Sequence, residues 1–580
     1  MSDTRFRLPA ELQPSLLVMT SRLLTALTII VLIGLLPWLS DTDPALSLLR
    51  ARSSEQEATA EALDAIRQHL GLAQGPWALL KQWLAGLLHG DAGLSWVSGK
   101  PVLPGMLDAA GVSLTLMLAA LAVALLLALL LSWPTLQRGL AGDNRRSNGA
   151  LATAFTAMPE FLLASFLLIV GAVWLKLLPP YGWQSWQHLI LPALALGIPA
   201  GGLLGKLFSD ALTSTFSEPW LLTWQMAGFS RRDCLLGVVR RALPAILPQV
   251  SLVLVGLTGG AVAVEKVFAI PGLGRATLGA AAAQDLPALQ CGVLILLVIA
   301  VIAGMGSTLL RRCLLGHALE NGSLSTPASA IKVTRRHYRL PLFIALLLAA
   351  IVITGLPRDP FGSDFARLQS PDWPLPFGAD ATGRDMLARV AHGALSTLFT
   401  ALAVTLCCLL LGLLFGLFPR LFSGPAEVAN AMPPVIAGMV VAALYGPSTS
   451  GAALAVALVA WAPLAAHTAS LVTEITAQPY IRITPLFGIS RLRCLIRYVI
   501  PALIGPVTRH AMLRLPGIAL ALASLGFLGL GEQPPTPEWG RVLAEGMPYV
   551  ERAVWTVLPP VSALILLSVL AVSLSQWSRR

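Results

Sequence analysis

The chain has 580 residues, of which 56% are hydrophobic and 12% are charged, and its formal net charge is +11. A soluble domain usually carries about 25% charged residues, so this composition excludes an ordinary soluble protein and indicates an integral membrane protein. The positive charge does not indicate nucleic-acid binding here, because basic residues concentrate at the cytoplasmic ends of membrane helices.

Apolar runs of membrane-spanning length follow one another along the whole chain. A helix needs roughly 20 apolar residues to cross a bilayer, and about twelve segments meet that need. The first run follows a basic stretch and lacks a small-residue cleavage site, so we interpret it as a retained helix and not as a signal peptide. The predicted spans are 22–39, 112–133, 149–173, 187–207, 245–265, 288–310, 340–356, 395–418, 428–447, 449–472, 503–529 and 555–577.

Basic residues are concentrated in alternate loops between the predicted spans. The loops after the second, fourth, sixth and tenth spans are rich in arginine and lysine, and Arg579 and Arg580 end the chain. The positive-inside rule places these loops and both termini in the cytoplasm. The long loop at about 40–111 then lies on the opposite side of the membrane, and its first part is acidic.

The chain divides into two similar halves of about six spans each. Residues 313–339 form a polar, serine-bearing linker between a half at 1–312 and a half at 340–580. Each half carries a basic segment between its fourth and fifth spans, and an Ala-Met-Pro sequence near the start of its third span. An even number of spans per half gives both halves the same orientation. The sequence therefore predicts an all-α integral membrane fold of two parallel six-helix repeats.

The repeated basic segments share an order of residues that predicts a local structure. Gly228 and Gly488 can adopt a positive φ, which permits a sharp turn. Ser230 and Ser490 can cap a following helix, and Pro244, like its counterpart in the second half, suits the first turn of the next membrane helix. Each segment is therefore predicted to form a short helix–turn–helix, and the matched pair favours a symmetric partner. The segments are AGFSRRDCLLGVVRRALP (227–244) and FGISRLRCLIRYVIP (487–501).

The order Gly-x-Ser, basic residues, then Leu-Pro or Ile-Pro resembles the cytoplasmic Glu-Ala-Ala loop of ABC-importer permeases. The triplet that names that loop is absent, since Leu222-Thr223-Trp224 and Arg482-Ile483-Thr484 stand in its place. Longer stretches resemble the first and then the second permease of dipeptide, oligopeptide and nickel importers. They are GLLHGDAGLSWVSGKPV (86–102), EKVFAIPGLGRATLGAAAAQDLPALQ (265–290), PFGADATGRDMLARVAHGALSTL (376–398) and LGFLGLGEQPPTPEWGRVLAEG (525–546). The chain thus resembles both permeases of one importer, fused into a single polypeptide.

This resemblance implies a permease component of an ATP-driven importer in the bacterial inner membrane. Two ABC ATPase subunits, or one fused pair, would bind the ATP and dock on residues 219–243 and 479–500, which overlap the basic segments. A periplasmic or extracellular solute-binding protein would deliver the substrate, which is a peptide, an opine, nickel or a metal chelate. The docking residues implied by the resemblance are Gly228, Ser230, Arg231, Arg232, Gly488, Ser490, Arg491 and Arg493.

The sequence contains no catalytic motif, resident metal site or cofactor site. The nearest phosphate-loop pattern is AGGLLGKL, in which Ala200 replaces the first glycine and Leu207 replaces the serine or threonine. The six cysteines show no metal or disulfide spacing and are interpreted as packing residues. The chain is therefore predicted not to be an enzyme. Two alternatives stay open: an ion-coupled secondary transporter, and a non-transporting membrane scaffold derived from a permease.

Five residues are candidates for the transport pathway or its gate. Ionisable side chains inside a membrane are costly and often functional. A carboxylate at Glu160 would attract a cationic substrate such as a peptide N-terminus or a metal complex, unless it pairs with a nearby arginine or lies among lipid headgroups. Glu265 is expected to organise the outer gate, and His467 serves either the pathway or packing. Gly529 and Gly531 are expected in irregular backbone that covers the pore entrance or forms a receptor-docking rim.

Overall fold

The structure of the protein is a computed structural model. The model describes residues 12–39, 59–69, 74–142, 150–156, 158–315 and 339–575, together with residues 45, 46 and 49. These residues are mostly helical, and their β-type pairing is confined to isolated bridges such as that between Leu94 and Pro101. The prediction of an all-α fold is confirmed. The predicted linker at 313–339 lies outside the described residues except at its two ends.

The helices are numbered here in chain order. They are α1 (Leu12–Gly34), α2 (Ala60–His69), α3 (Pro76–Leu88), α4 (Val102–Leu140), α5 (Ala150–Thr156), α6 (Glu160–Leu167), α7 (Gln187–Phe216), α8 (Pro219–Met226), α9 (Arg231–Val267), α10 (Leu273–Ala282), α11 (Leu286–Leu315), α12 (Arg339–Gly355), α13 (Met386–Gly416), α14 (Pro419–Ala431), α15 (Pro434–Tyr445), α16 (Thr449–Ala460), α17 (Ala462–Ala477), α18 (Pro479–Arg482), α19 (Arg491–Cys494), α20 (Ile500–Leu528), α21 (Trp539–Gly546) and α22 (Leu558–Ser575). Short π-helical stretches continue α6 and join α19 to α20.

The predicted spans fall on helices, although fewer than twelve helices are long and apolar enough to cross a membrane alone. In the described part of the chain, six helical segments meet that test. They are Val102–Leu140, Gln187–Phe216, Leu286–Ala303, Met386–Gly416, Thr449–Ala477 and Leu492–Leu528. Shorter apolar helices cover four more predicted spans, namely Leu23–Gly34, Glu160–Trp174, Pro341–Gly355 and Leu558–Leu570. The two remaining predicted spans are 245–265, which lies on α9, and 428–447, which lies on the helix pair α14–α15. This pair is bent by 99°.

The repeated Met-Pro sequences interrupt a helix at the same position in each half. Between α5 and α6, Pro159 has an extended backbone with φ −63° and ψ 146°, and α6 begins at the next residue. Between α14 and α15, Pro433 has φ −63° and ψ 144°. A proline lacks an N–H group and clashes with the preceding turn, so it can end a helix. The third span of each half is therefore broken, whereas the sequence analysis predicted a continuous helix.

The described helices form two compact units, and neither unit coincides with one half of the sequence. In the first unit, α1 from the first half packs along α14 from the second half. The Ser21 hydroxyl donates to the Leu421 carbonyl at 2.9 Å and accepts from the Gly424 N–H at 3.1 Å. In the same unit α20 packs against α15, α16 and α17. This unit consists of residues 1–103, 280–291 and 395–533.

In the second unit, α7 packs against α5, α6 and α9. Gly197 and Gly201 lie one turn apart on α7, where a Cβ would come within 2.7 Å of the Ala120 carbonyl and 2.9 Å of the Ala124 carbonyl. Small residues at this spacing let membrane helices approach closely. Gly201, which belongs to the phosphate-loop-like sequence, therefore lies where α7 meets α4. This unit consists of residues 104–279, 292–394 and 534–580.

Candidate coupling segments, charged cap and membrane-embedded polar groups

The first basic segment forms the predicted helix–turn–helix; it is called the first coupling segment below and comprises residues 219–243. α8 ends at Met226, the chain turns at Gly228 with φ +80°, and α9 then begins. The Ser230 side chain caps α9 by accepting a hydrogen bond from the Asp233 N–H at 3.2 Å. A Cβ on Gly228 would meet open space, so the turn conformation and not crowding explains the glycine.

α9 differs from the prediction because it is continuous from this turn to Val267. Pro244, which was expected in the first turn of a membrane helix, lies in its interior. The 37 residues of α9 correspond to about 55 Å at 1.5 Å per residue, which exceeds the roughly 30 Å of a bilayer core. The first coupling segment and the chain after Val267 therefore lie at opposite ends of one long helix.

Aromatic and ionic contacts hold the first coupling segment together. The Glu218 carboxylate accepts a hydrogen bond from Trp220 Nε1 at 2.7 Å and pairs with Arg241 Nε at 3.3 Å. The rings of Trp220 and Trp224 meet edge to face with centroids 5.1 Å apart, and Trp224 stacks on Phe229 at 4.8 Å. These contacts pack α8, the turn and α9 against one another.

Large apolar side chains project from the first coupling segment. Met226 is 81% exposed, and Leu222, Phe229 and Leu236 are also exposed. Arg231 and its neighbour Arg232 are exposed at the start of α9. An apolar patch bordered by charged residues is typical of a protein–protein interface.

The second coupling segment, residues 479–500, repeats the turn with less regular helices. Its turn is at Gly488, with φ +71°, and the Ser490 side chain accepts a hydrogen bond from the Arg493 N–H at 3.3 Å. The short helix α19, which begins at Arg491, leads through a π-helical stretch into α20. Pro501 lies in the first turn of α20, as predicted. The exposed apolar side chains include Leu486 at 85%, Phe487 and Leu492.

A network of arginines and carboxylates, which we call the charged cap, joins the segment before α13 and the first turn of α13 to α21 in the second unit. Arg389 is fully buried and donates hydrogen bonds to Asp380 at 2.6 Å and to Glu545 at 2.8 Å. Arg384 contacts the same two carboxylates at 2.7 Å and 3.1 Å. Arg541 reaches Glu545 at 3.3 Å. The charged cap thus consists of three arginines that share two carboxylates.

Asp380 is held as an anion by several donors within the charged cap. Its carboxylate accepts hydrogen bonds from the Thr382 hydroxyl at 2.8 Å and from the Arg384 N–H at 3.0 Å. Burial by itself raises the pKa of Asp380, but the Arg384 and Thr382 hydrogen bonds and the charge of Arg389 outweigh it and leave that pKa below its ordinary value. Asp380 is therefore ionised at neutral pH.

The charged cap lies at the end of α9 opposite the first coupling segment. Lys266, in the last turn of α9, is close enough to Arg541 for their charges to interact. Tyr181, in the loop before α7, lies near Glu551; burial and, second, that carboxylate raise the pKa of the phenol. Segments from both halves of the sequence therefore meet at this end of the second unit.

Glu265 is fully buried and caps the N-terminus of α10. The Ser113 hydroxyl donates to Glu265 Oε1 at 2.5 Å and accepts a hydrogen bond from the Leu273 N–H at 2.8 Å. The Arg275 N–H donates to Glu265 Oε2 at 2.9 Å. The first N–H groups of a helix need acceptors and favour negative charge, so this capping explains the buried carboxylate. A Cβ on Gly272 would collide with the Glu265 carboxyl group.

Glu160 is the first residue of α6 and directly follows the break at Pro159. Its half-buried side chain lies against α9, where a Cβ on Gly260 would approach Glu160 Cγ to 3.3 Å. Within the described residues, the structure shows no ion pair between Glu160 and an arginine or lysine. Its role in the pathway stays a prediction.

His467 does not stand alone in its membrane helix. Its ring stacks on that of His510, with centroids 4.4 Å apart and planes 29° apart. Arg514 lies one turn beyond His510 on α20, and its Nη1 is buried without a hydrogen-bond partner among the described residues. The sequence analysis missed His510 and Arg514 because it treated their span as one apolar run and did not single out the charges within it. Two ionisable residues four apart inside such a run are the signal that could have found them.

Gly529 and Gly531 lie where the chain turns back at the end of α20. Gly529 has a left-handed backbone with φ +84°, and the next residue, Leu530, donates its N–H to the Leu525 carbonyl at 2.9 Å. A Cβ on Gly531 would come within 3.1 Å of Gly526 Cα. Both glycines are therefore explained by a tight return of the backbone, and their role in a plug or docking rim stays a prediction.

A resident metal centre is not found in the part of the chain that the structure describes, where no group of three or more His, Cys, Asp and Glu could hold an ion. Free thiols are found at Cys234, Cys291, Cys407, Cys408 and Cys494. Cys234, Cys291 and Cys408 are buried, in keeping with a packing role, whereas Cys407 is exposed.

Two regions of the chain match one protein family, described as the inner membrane component of binding-protein-dependent transport systems. The matched residues are 144–314 and 405–580, one region in each half of the sequence, and each contains one coupling segment. The chain belongs to this family. The double match supports the interpretation of this inner membrane component as a tandem repeat of one permease unit.

Similar curated proteins are permeases named for peptide transport. The chain is 37% identical over 206 residues to the di/tripeptide transport system permease protein DppC of Pseudomonas aeruginosa, which covers 34% of the chain and 67% of that protein. It is 31% identical over 208 residues to the dipeptide transport system permease protein DppC of Alkalihalophilus pseudofirmus, covering 34% and 68%. It is 29% identical over 249 residues to the glutathione transport system permease protein GsiC of Shigella flexneri, covering 41% and 78%. This inner membrane component is therefore a multi-pass permease of the ABC-importer type, and not an enzyme.

Proposed function

We propose that this inner membrane component unites both permease subunits of an ATP-driven importer and translocates short peptides delivered by a solute-binding protein. One observation carries the proposal: each half presents a coupling segment with exposed apolar side chains beside arginines. The names of the relatives, which refer to dipeptides, tripeptides and glutathione, favour a peptide as the substrate. The family description supports a binding protein as the donor.

In this proposal each coupling segment holds one ATPase subunit, or one half of a fused ATPase pair. Met226 and Leu486 are the anchors, because burying such a side chain contributes about 1.5–3 kcal/mol. The neighbouring arginines orient the partner by pairing with its acidic groups. Gly228 and Gly488 form the turn inside the first and the second coupling segment, because each turn requires a positive φ.

The orientation of the chain follows from the same proposal. The coupling segments and both termini lie in the cytoplasm of a bacterial cell, as the positive-inside rule prefers. The charged cap, at the other end of α9, then faces the side from which the binding protein delivers its substrate. Trp373, which precedes the charged cap in the chain and is 95% exposed, is our candidate contact for that protein.

The test is a pull-down from native membranes with the double variant Met226→Asp and Leu486→Asp. A carboxylate buried without a partner is costly, so the variant should lose the ATPase subunits that co-purify with the native chain. Trp373→Asp is the matched control, because it replaces an equally exposed apolar side chain far along the chain from both coupling segments. The control should keep the ATPase.

Three outcomes would replace the proposal. ATPase recovered at the native level with the double variant would show that the coupling segments are not the docking sites. Uptake that survives ATP depletion and follows an ion gradient would indicate a secondary transporter. Assembly with ATPase but no uptake of any peptide, nickel salt or metal chelate would indicate a scaffold.

A further inference from the structure

Two helices of the first unit bring a pair of histidines together inside predicted membrane spans. His467 lies on α17 and His510 lies on α20, midway along the Leu492–Leu528 span. Their rings are stacked with centroids 4.4 Å apart, and both are half-buried, so one side of the pair is reachable. Ionisable residues at this depth are rare unless they serve a pathway or pair with one another.

Arg514 extends the pair into a cationic cluster. It lies one turn from His510 on the same helix and within electrostatic range of both His510 and the Cys408 thiol. Arg514 Nη1 is buried and donates no hydrogen bond within the described residues. Leaving a buried charged donor unsatisfied is costly, and the cost is removed when an anion occupies the position.

The surrounding helices of the first unit supply no such anion. The sequences of α13, α15, α16 and α20 contain no aspartate or glutamate. The acidic residues on α14 and α17 are Glu427 and Glu474, and both are exposed. Glu474 lies about two turns beyond His467. The cluster is therefore cationic, partly accessible and without a buried carboxylate from these described helices.

We propose that His467, His510 and Arg514 form a binding site for the C-terminal carboxylate of a peptide as it crosses the membrane. The source of the carboxylate rests on the proposed function above. A guanidinium binds a carboxylate through two parallel hydrogen bonds, and Arg514 Nη1 is available for such a contact. The imidazole N–H groups of the stacked pair supply further donors at the accessible side of the cluster.

The first experiment measures binding to the full-length chain in nanodiscs by NMR of histidines labelled with ¹³C in the ring. The probes are alanyl-alanine and alanyl-alanine amide, which differ only in the carboxylate. His467→Gln and His510→Gln assign the two resonances among the eight histidines of the chain. The dipeptide should shift both resonances in a saturable manner, and the amide should not.

Arg514→Met and Arg509→Met form a matched pair for this experiment. Arg509 lies next to His510 on the same helix, but its side chain is exposed. Arg514→Met should abolish the dipeptide-dependent shifts, and Arg509→Met should leave them unchanged. If Arg514→Met does not fold, Arg514→Lys keeps the charge without the two-pronged donor geometry and should weaken binding of the dipeptide at least about tenfold.

The second experiment measures ATP-dependent uptake by the chain assembled with its ATPases and binding protein. The ratio of dipeptide uptake to amide uptake is compared between each variant and the native chain, so the selectivity of the binding protein cancels. Arg514→Met should lower this ratio about tenfold. Equal losses for both probes would assign Arg514 a structural role and overturn the inference.

The two experiments separate the inference from the proposed function. Carboxylate-dependent shifts without ATP-dependent uptake would keep the binding site and refute the importer. Uptake without carboxylate-dependent shifts would keep the importer and refute the binding site. Identical shifts with dipeptide, acetate and chloride would show a general anion site and refute recognition of the peptide.

Discussion

Replacement of Arg389 by methionine tests whether the charged cap stabilises the second unit. The side chain is fully buried and forms charge-assisted hydrogen bonds to Asp380 at 2.6 Å and Glu545 at 2.8 Å. Arg389→Met removes the charge and keeps an unbranched apolar stem of similar length. The two carboxylates lose their closest cation as a result.

The expected cost is about 3 kcal/mol in the free energy of unfolding. Removing one partner of a buried ion pair typically costs about 3–5 kcal/mol. The lower end applies, because Arg384 stays within 2.7 Å of Asp380 and 3.1 Å of Glu545. In addition, Arg389 Nε is already buried without a partner among the described residues, so its removal relieves one unsatisfied donor. About 3 kcal/mol corresponds to a more than 100-fold change in the unfolding equilibrium.

The assay is unfolding in mixed micelles by increasing the fraction of sodium dodecyl sulfate, followed by tryptophan fluorescence. Arg367→Met is the control, because Arg367 contacts Tyr549 at an exposed position, with its Cζ 5.8 Å from the ring centroid. Its replacement should change stability by less than about 0.5 kcal/mol. If Arg389→Met destabilises no more than Arg367→Met, the network contributes nothing and the argument fails.

The same variant should change the response of stability to acid. The folded-state pKa of Asp380 is lower than that of the unfolded chain, so Asp380 stabilises the fold above about pH 4. This contribution is lost as the pH falls through the folded-state value. Removing Arg389 removes one cause of the depressed pKa, so the variant should lose less stability than the native chain as the pH falls below about 4. Parallel acid titrations of the two proteins measure the difference.

Three further predictions concern single residues of the second unit. Gly272→Ala should destabilise the protein by about 1–3 kcal/mol in thermal unfolding, because its Cβ would collide with a buried carboxyl group, whereas Gly279→Ala faces open space and should be neutral. Gly201→Leu should separate α7 from α4 and sharply lower the yield of monodisperse protein in gel filtration; Gly256→Leu, also in open space, should not. If the Glu160 carboxylate binds the peptide ammonium group, Glu160→Gln should weaken selection of a free dipeptide over its N-acetylated form. The measurement is the ratio of uptake of the two forms, which should fall about tenfold. An unchanged ratio would remove Glu160 from the pathway.

The membrane spans and the repeat could be predicted because the bilayer requires long apolar segments, which are visible in the sequence itself. The breaks in the third span of each half could not be predicted. Pro192 and Pro506 lie inside continuous helices, whereas Pro159 and Pro433 directly precede new ones. Proline permits both outcomes in a membrane, since neighbouring helices can satisfy the freed backbone groups. The outcome therefore depends on tertiary packing and not on the proline itself.

For the polar sites, too, the sequence predicts local structure but not contacts between distant residues. The turns at Gly228 and Gly488 were predictable, because positive φ and a serine cap are local properties. The partnership of Arg389 with Glu545 was not, because it joins residues far apart in the chain. His467 was identified without its stacked partner His510, because the span of His510 was treated as one apolar run. Sequence reasoning located some ionisable residues, such as Glu265 and His467, and the fold shows which residues they contact.

Both halves need an acceptor for the N-terminus of a short helix, and they take it from different positions in the sequence. Each has a short helix beyond its long fifth-span helix, and the first N–H groups of each are capped by a buried carboxylate. In the first half that carboxylate is Glu265, which belongs to α9 and acts together with Ser113. In the second half it is Glu538, immediately before α21, which accepts hydrogen bonds from the Gly540 and Arg541 N–H groups at 3.0 Å and 2.9 Å. A buried helix N-terminus cannot be satisfied by water, so an acceptor is required in both halves, but its position in the sequence is not fixed. A comparison of the halves residue by residue would miss this equivalence, because what they share is the satisfied helix end.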